Sequence, residues 1–304
     1  MITLTSVAAI AVVVVVAPAL PGIATRTRSF LTGRRGAPVL QLYADLAKLW
    51  RKGSVYSRTT TILFRLAPVV LFSTTVITAL LLPLDGHESL FGFSGDVVAF
   101  AGLLALGRFA LTLAALDTGS SFEGMGASRE VMIAAFAEPA LLLVFIVLVL
   151  ATGQLSLAGV LGEPMASAWA PSAPSLGMAS ASLFMLTLAE NARVPVDDPA
   201  THLELTMIHE VMILDHSGPD LALILYAGAL KLALFAAILT SILVPRAALD
   251  PWAAIAVLVL GLVLAAAAVG VVEAAMARLR MNRVPQFLVA ASALAVFGVI
   301  LLLR

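Results

Sequence analysis

"ENARVPVDDPATHLELTMIHEVMILDHSGPD", residues 190–220, stands in a chain otherwise dominated by alanine, leucine and valine. The stretch holds seven of the eighteen carboxylates and three of the four histidines, but a single arginine, Arg193. Asp198-Pro199 reads as an N-cap followed by proline in the first helical turn. Gly218-Pro219 reads as a stop and a restart. Between them the spacing predicts a helix of about four turns. Glu204, Ile208, Val211 and Asp215 would share one face, and His202, His209 and His216 would form a second stripe. Histidines seven apart on a helix lie about 10 Å from one another, too far for one ion to bridge. His209-Glu210 also lacks the second histidine of a zinc-protease helix, so no metal site is expected and the three histidines are assigned no role. Two readings remain. Charge runs are usually solvated faces. Alternatively, carboxylates and histidines at a membrane mouth form a docking and proton-uptake surface, exchanging protons near neutral pH where burial raises the acids.

The surroundings decide the fold class. Of 304 residues, 61% are hydrophobic and only 12% charged, with a mean hydropathy of +1.07. Soluble domains carry about 25% charged residues. The chain therefore reads as an all-α integral membrane protein, one polytopic domain over residues 1–304 in contact with the lipid bilayer. Runs of apolar residues predict eight transmembrane helices, near 3–24, 62–83, 97–117, 131–152, 175–190, 220–244, 252–275 and 285–303. Pro83, Pro245 and Pro285 punctuate edges, and Asp96 reads as an N-cap. The opening run lacks the basic region of a secretory signal and reads as a retained first helix. The net charge of zero suggests no nucleic-acid partner. The chain has no cysteine, so disulfides and cysteine-ligated iron–sulfur or zinc sites are excluded. No cofactor is expected in this chain.

Lys and Arg set the orientation. The segment from Thr25 to Thr61 carries Arg26, Arg28, Arg34, Arg35, Lys48, Arg51, Lys52 and Arg58. Later basic segments carry Arg129, then Arg193, then Arg278, Arg280 and Arg283. The alternate loops hold only Arg246. The basic loops are thus expected in the cytoplasm, and both termini on the other side. Within the first basic segment, Val39, Leu42, Tyr43, Leu46, Leu49 and Trp50 fall at helical spacing, which predicts an amphipathic helix on the membrane surface or against a partner. The glycines of "GSSFEGMGASRE" (residues 119–130) read as a flexible turn.

Charges inside the predicted spans are few: Arg65, Arg108, Glu138, Lys231 and Glu273. Each costs about 2.5–3.5 kcal/mol at a helix centre, so they are expected to face the bundle interior or water. Arg65 lies near a helix end, where it snorkels, and Glu273 is also near an end. Glu138 and Lys231 lie deeper. They read equally as a proton route or as a pair that fixes packing, whereas Arg108 reads as packing. No phosphate-binding loop, dinucleotide fingerprint or nucleophile–base arrangement is present.

With these residues in view, residues 189–219 resemble the signature loop of the membrane subunit shared by membrane-bound nickel–iron hydrogenases and respiratory complex I, a family that in complex I builds the quinone chamber. The resemblance is nearest to its hydrogenase branch, which includes formate hydrogenlyase subunit 4 and hydrogenase-4 component C. "GMGASREVMIAAFAEPALL", "APVLQLYADLAKLWRKG" and "RLRMNRVPQFL" resemble the same family. The resemblance implies a non-catalytic subunit anchoring a redox arm to an ion-translocating membrane arm in the inner (cytoplasmic) membrane. Its partners would be hydrogenase large and small subunits, holding the Ni–Fe centre and iron–sulfur clusters, and antiporter-like membrane subunits. The candidate proton route takes in Glu138, Glu190, Asp197, Asp198, Glu204 and Asp215, which the resemblance implies, and Lys231 from its place in a span. The candidate docking surface for the redox arm takes in Arg129, Glu130, Arg193, Glu210 and His216, of which the resemblance places Arg193 at the junction. Complex I usually has Asn-Arg-x-Pro-Phe-Asp-Leu-Pro-Glu. Here Val196 replaces the aromatic and Ala200 the acid, and Asp215-His216-Ser217-Gly218 replaces Glu-Tyr-Ser-Gly. Those departures fit a complex coupling electron transfer, from formate or ferredoxin, to H2 production better than a quinone reductase. The alternatives are the quinone-site subunit of a complex I-like dehydrogenase and a secondary ion transporter.

Overall fold

A computed structural model describes residues 4–197 and 207–304. All regular elements among them are helical: a 3-10 turn at Met281–Arg283 and twelve α-helices. In chain order they are α1 (Leu4–Val16), α2 (Ala19–Leu31), α3 (Gln41–Leu49), α4 (Ile62–Leu81), α5 (Asp96–Asp117), α6 (Ser121–Thr152), α7 (Leu157–Leu161), α8 (Glu163–Glu190), α9 (His209–Met212), α10 (Gly218–Leu243), α11 (Pro251–Ala275) and α12 (Val284–Leu302). Among the described residues, seven helices are each long and apolar enough to cross a bilayer, and the bent pair α1–α2 makes an eighth when taken as one span. The chain is a multi-pass membrane protein. Helix α10 is its axis, with α2, α3, α4, α8 and α11 against it, while α6, α8 and α12 pack as a second group.

The first predicted span is broken. Helices α1 and α2 meet at 47°. Pro18 lies at the junction and has no N–H to give the Val14 carbonyl four residues back. A freed carbonyl in a membrane must find another donor. The Tyr226 hydroxyl on α10 donates to Val14 O at 2.7 Å, and the Tyr43 hydroxyl on α3 donates to the next carbonyl, Val15 O. The two tyrosines thereby fasten the amphipathic helix and the axial helix to the bend.

Other boundaries differ from the sequence reading for identifiable reasons. Residues 119–130 are not a flexible turn. Only Gly119, at φ +70°, turns; α6 begins at Ser121 and runs for 32 residues. Gly126 lies inside it because the chain returns across that face: a Cβ there would sit 2.9 Å from the Ile208 carbonyl oxygen. Helix α8 begins at Glu163 rather than near 175. Its prolines at 171 and 174 bend the helix at Ser172 instead of ending it. Asp96 is the first residue of α5, after Gly95, and its carboxylate reaches across to accept from the Leu157 N–H at 2.6 Å. The four-turn helix predicted between Asp198 and Gly218 is not continuous. Its start, with Asp198, His202 and Glu204, lies outside the described residues. Residues 207–217 hold only the single turn α9, and Gly218 then opens α10 at φ +56° with Pro219 in its first turn.

Candidate functional site

Five charged side chains from four helices meet inside the bundle. Arg108 lies midway along α5 and is 9% exposed. Its Nη1 donates to Glu138 Oε1 at 2.9 Å, its Nη2 to Glu190 Oε1 at 2.6 Å, and its Nε lies 3.4 Å from Glu130 Oε1. From α10, Lys231 Nζ lies 2.7 Å from Glu190 Oε2. Two cations therefore stand among three carboxylates, with Glu190 shared between both cations. Isolated charges at this depth are costly, and bidentate and charge-assisted contacts offset that cost. Glu138 differs from the rest. Its side chain is 44% exposed, against 3% for Glu190 and 16% for Glu130.

Local chemistry puts Glu190 there. It is the last residue of α8, and the chain turns immediately: the Arg193 N–H bonds to Leu188 O and the Ala192 N–H to Ala189 O. This is the paired-bond helix ending that usually places glycine in the left-handed position. Here Ala192 takes it, at φ +50°. Beyond the turn the loop is held from α11 and the connector to α12. Arg193 Nη1 lies 3.4 Å from Glu273 Oε1, Arg278 Nη2 lies 2.9 Å from Asp197 Oδ1, and the Leu279 N–H donates to Pro195 O. Asp197 Oδ2 also accepts the Ile208 and His209 N–H groups, 3.2 Å each, at the start of α9.

A cavity of about 210 Å³ lies between this loop and the helices. Arg108, Glu130, Glu190, Lys231, His209 and Glu210 form its polar wall; Leu42, Leu71, Leu104 and Ile224 are among its apolar residues. Burial holds the His209 imidazole below its ordinary range, with Lys231 and Arg108 adding to that against Glu130 and Asp197. A neutral imidazole and several carboxylates around one cavity can accept and pass protons. They offer no activated nucleophile. Among the described residues no group of three or more histidines and carboxylates is placed to hold a metal.

The residues singled out from sequence thus fall in different places. Glu138, Glu190 and Lys231 are together. Glu130, read as a docking residue, faces the interior on Arg108. Arg108, read as packing, is the hub; an arginine twelve residues into an apolar helix was the signal for it. Arg129 is half-buried and donates to Met207 O at 2.9 Å. Arg193 is tied to Glu273, and Glu210 lines the cavity. Asp215 is exposed and apart from the cluster, its backbone N–H donating to Glu123 Oε1 at 3.1 Å. His216 is buried, its ring stacked 3.9 Å from that of Phe64. Burial pushes its pKa down to about 4, against the pull of Asp220 and Asp215. Arg65 is exposed and lies over the Tyr56 ring. Glu123, buried at the start of α6, was missed because its stretch was read as a turn.

Comparison with known proteins follows the same line. Residues 4–303 match the family model described as NADH dehydrogenase. The chain is 32% identical over 235 residues to hydrogenase-4 component C of Escherichia coli (strain K12), covering 77% of this chain and 73% of that one. It is 29% identical over 277 residues to formate hydrogenlyase subunit 4 of the same organism, covering 89% of each. The fold is shared with a chain of the membrane-bound sulfane sulfur reductase, an archaeal respiratory membrane complex. The TM-score there is 0.84, at 19% identity, over 98% of both chains.

Proposed function

The chain belongs to the NADH dehydrogenase family, and from that premise we propose that it is a non-catalytic membrane subunit of a group 4 nickel–iron hydrogenase complex. In this reading it anchors the soluble electron-transfer arm to the ion-translocating membrane arm. Both named relatives, hydrogenase-4 component C and formate hydrogenlyase subunit 4, support the hydrogenase branch. The partners would be hydrogenase large and small subunits on one side and antiporter-like subunits on the other. The Ni–Fe centre and iron–sulfur clusters would reside in those partners, because this chain has no cysteine to hold them. The membrane would be the inner (cytoplasmic) one, with both termini on its outer side, as the distribution of Lys and Arg favours.

The observation that carries the coupling role is the single guanidinium of Arg108 binding three carboxylates, one of which also binds Lys231. The proton path would start at the cavity wall, at Glu210 and His209, and pass to Glu130 and Glu190. It would leave through Glu138. A carboxylate 44% exposed within a transmembrane helix is poorly matched to lipid tails, and a neighbouring membrane subunit would supply its polar surroundings. Asp197, spent on Arg278 and two backbone N–H groups, would hold the cavity's rim. Arg129 and Arg193 would stiffen the surface under the redox arm.

The test is Glu138→Gln in the intact complex. The complex is expected to assemble and keep electron transfer to H2 while ion movement is lost. Unchanged coupling would overturn the route. Purification of the complex without a nickel-containing large subunit would overturn the branch. The apolar half of the cavity favours one second reading, a quinone site, which predicts quinone-dependent turnover.

A further inference from the structure

We propose that the basic segment from α2 through α3 is a binding surface for anionic phospholipid headgroups. This does not rest on the coupling role.

Charge is the first observation. Between residues 26 and 58 stand eight Lys and Arg residues and one carboxylate, Asp45. Asp45 accepts a hydrogen bond from Gln41 one turn earlier on α3. No carboxylate among the described residues pairs with Arg34, Arg35, Lys48, Arg51, Lys52 or Arg58, and all six are exposed. Among the described residues, then, these six cations have no carboxylate counterion.

Depth is the second. Helix α11 lies along α2, and at Gly270 the two backbones approach closely: a Cβ there would lie 2.4 Å from the Ala24 carbonyl oxygen. Gly270 is nineteen residues beyond the start of α11 at Pro251. At 1.5 Å per residue that is about 28 Å, close to the roughly 30 Å of a bilayer's hydrocarbon core. Ala24 therefore sits near the hydrocarbon boundary and Arg26 just beyond it, at headgroup level. Helix α3 is held at the same depth. Val39, just before it, packs on Gly22, and the Tyr43 hydroxyl reaches Val15 O.

Exposed apolar side chains are the third. Leu40 is 63% exposed and Trp50 57%, at the two ends of α3, and Phe30 is 81% exposed at the end of α2. Apolar and aromatic groups interleaved with unpaired cations at a membrane boundary fit a leaflet with phosphates above and acyl chains below. The acidic face of a soluble protein would satisfy the cations and leave Leu40 and Trp50 without apolar contact.

The test uses the full chain in mild detergent. Native mass spectrometry counts phosphatidylglycerol and phosphatidylcholine retained from equal mixtures. Phosphatidylglycerol is expected to be favoured, and the preference to fall roughly tenfold in Lys48→Gln/Arg51→Gln/Lys52→Gln. It should also fade for the wild type in about 0.5 M salt. Equal retention of the two lipids by the wild type would overturn the proposal, as would a preference unaltered by both salt and substitution. So would loss of a soluble subunit from the complex on these substitutions with lipid preference unchanged, which would assign the surface to protein docking. If the triple variant does not fold, the wild-type salt series alone decides.

Discussion

Lys231 and Arg108 close on one carboxylate from different helices, 2.7 Å from Glu190 Oε2 and 2.6 Å from Glu190 Oε1. The two cations are not equivalent. Removing Lys231 leaves Glu190 on Arg108, whereas removing Arg108 leaves Glu190 on Lys231 but strands Glu130 and Glu138. Breaking a buried ion pair costs about 3–5 kcal/mol through the charge left behind. Arg108→Met is therefore expected to lower the melting temperature in detergent sharply or to prevent assembly. Lys231→Met should assemble with a clearly smaller shift. Equal losses would show that Arg108 is not the hub.

The tyrosine at the α1–α2 bend gives a second expectation. Tyr226→Phe keeps the ring against Phe72 and removes the donor to Val14 O. A carbonyl left without a partner costs about 1–3 kcal/mol. Melting should shift down accordingly, and an unaltered melt would mean that another donor takes over.

Ala192 allows a stabilising change. Its φ of +50° suits glycine. Left-handed geometry costs an alanine about 1–2 kcal/mol, offset in part by glycine's freer unfolded chain. Ala192→Gly should gain about 0.5 kcal/mol, and Ala192→Val should lose stability because branched side chains fit that region worst. The order Gly above Ala above Val in thermal melts is the check.

His216 predicts a pH dependence. Its folded pKa, about 4, lies below the ordinary 6.5. The unfolded chain thus takes up the proton first, and stability is lost as pH falls from 6.5 towards 4. The charged groups acting on it are Asp220 and Asp215, which favour the proton, and burial against Phe64 outweighs them. His216→Phe should flatten that part of the melting-temperature profile. A variant profile parallel to the wild type would remove His216 as its source.

The spans were legible because bilayer thickness imposes length and hydropathy on sequence. Their exceptions were not. Pro18 was read through as part of one opening span, and nothing in the local pattern named Tyr43 and Tyr226 as the donors that complete its bend. The prolines at 171 and 174 looked like the boundary of a helix and instead bend one. Gly124 and Gly126 resembled turn residues, although Gly126 is required by the chain crossing over it. In the site, Lys231 and Glu138 stood out as charges in apolar runs. Arg108 did too, but its rank depends on carboxylates 22, 30 and 82 residues away in sequence, and only tertiary structure brings them to it. The histidine stripe failed for a related reason. Its seven-residue spacing has meaning on one continuous helix, and the described part of that stretch has a single turn.

Helix α8 ends at Glu190, and the next peptide already belongs to the turn. The residue that clasps two membrane-embedded cations is therefore also the abutment of an arch, whose far side is pinned at Arg193 and Asp197 to α11 and its connector. No spacer lies between abutment and arch in which displacement would dissipate. Mechanically the junction is a short linkage with little slack, so a push of an ångström on the arch has to be taken up by the geometry around Glu190.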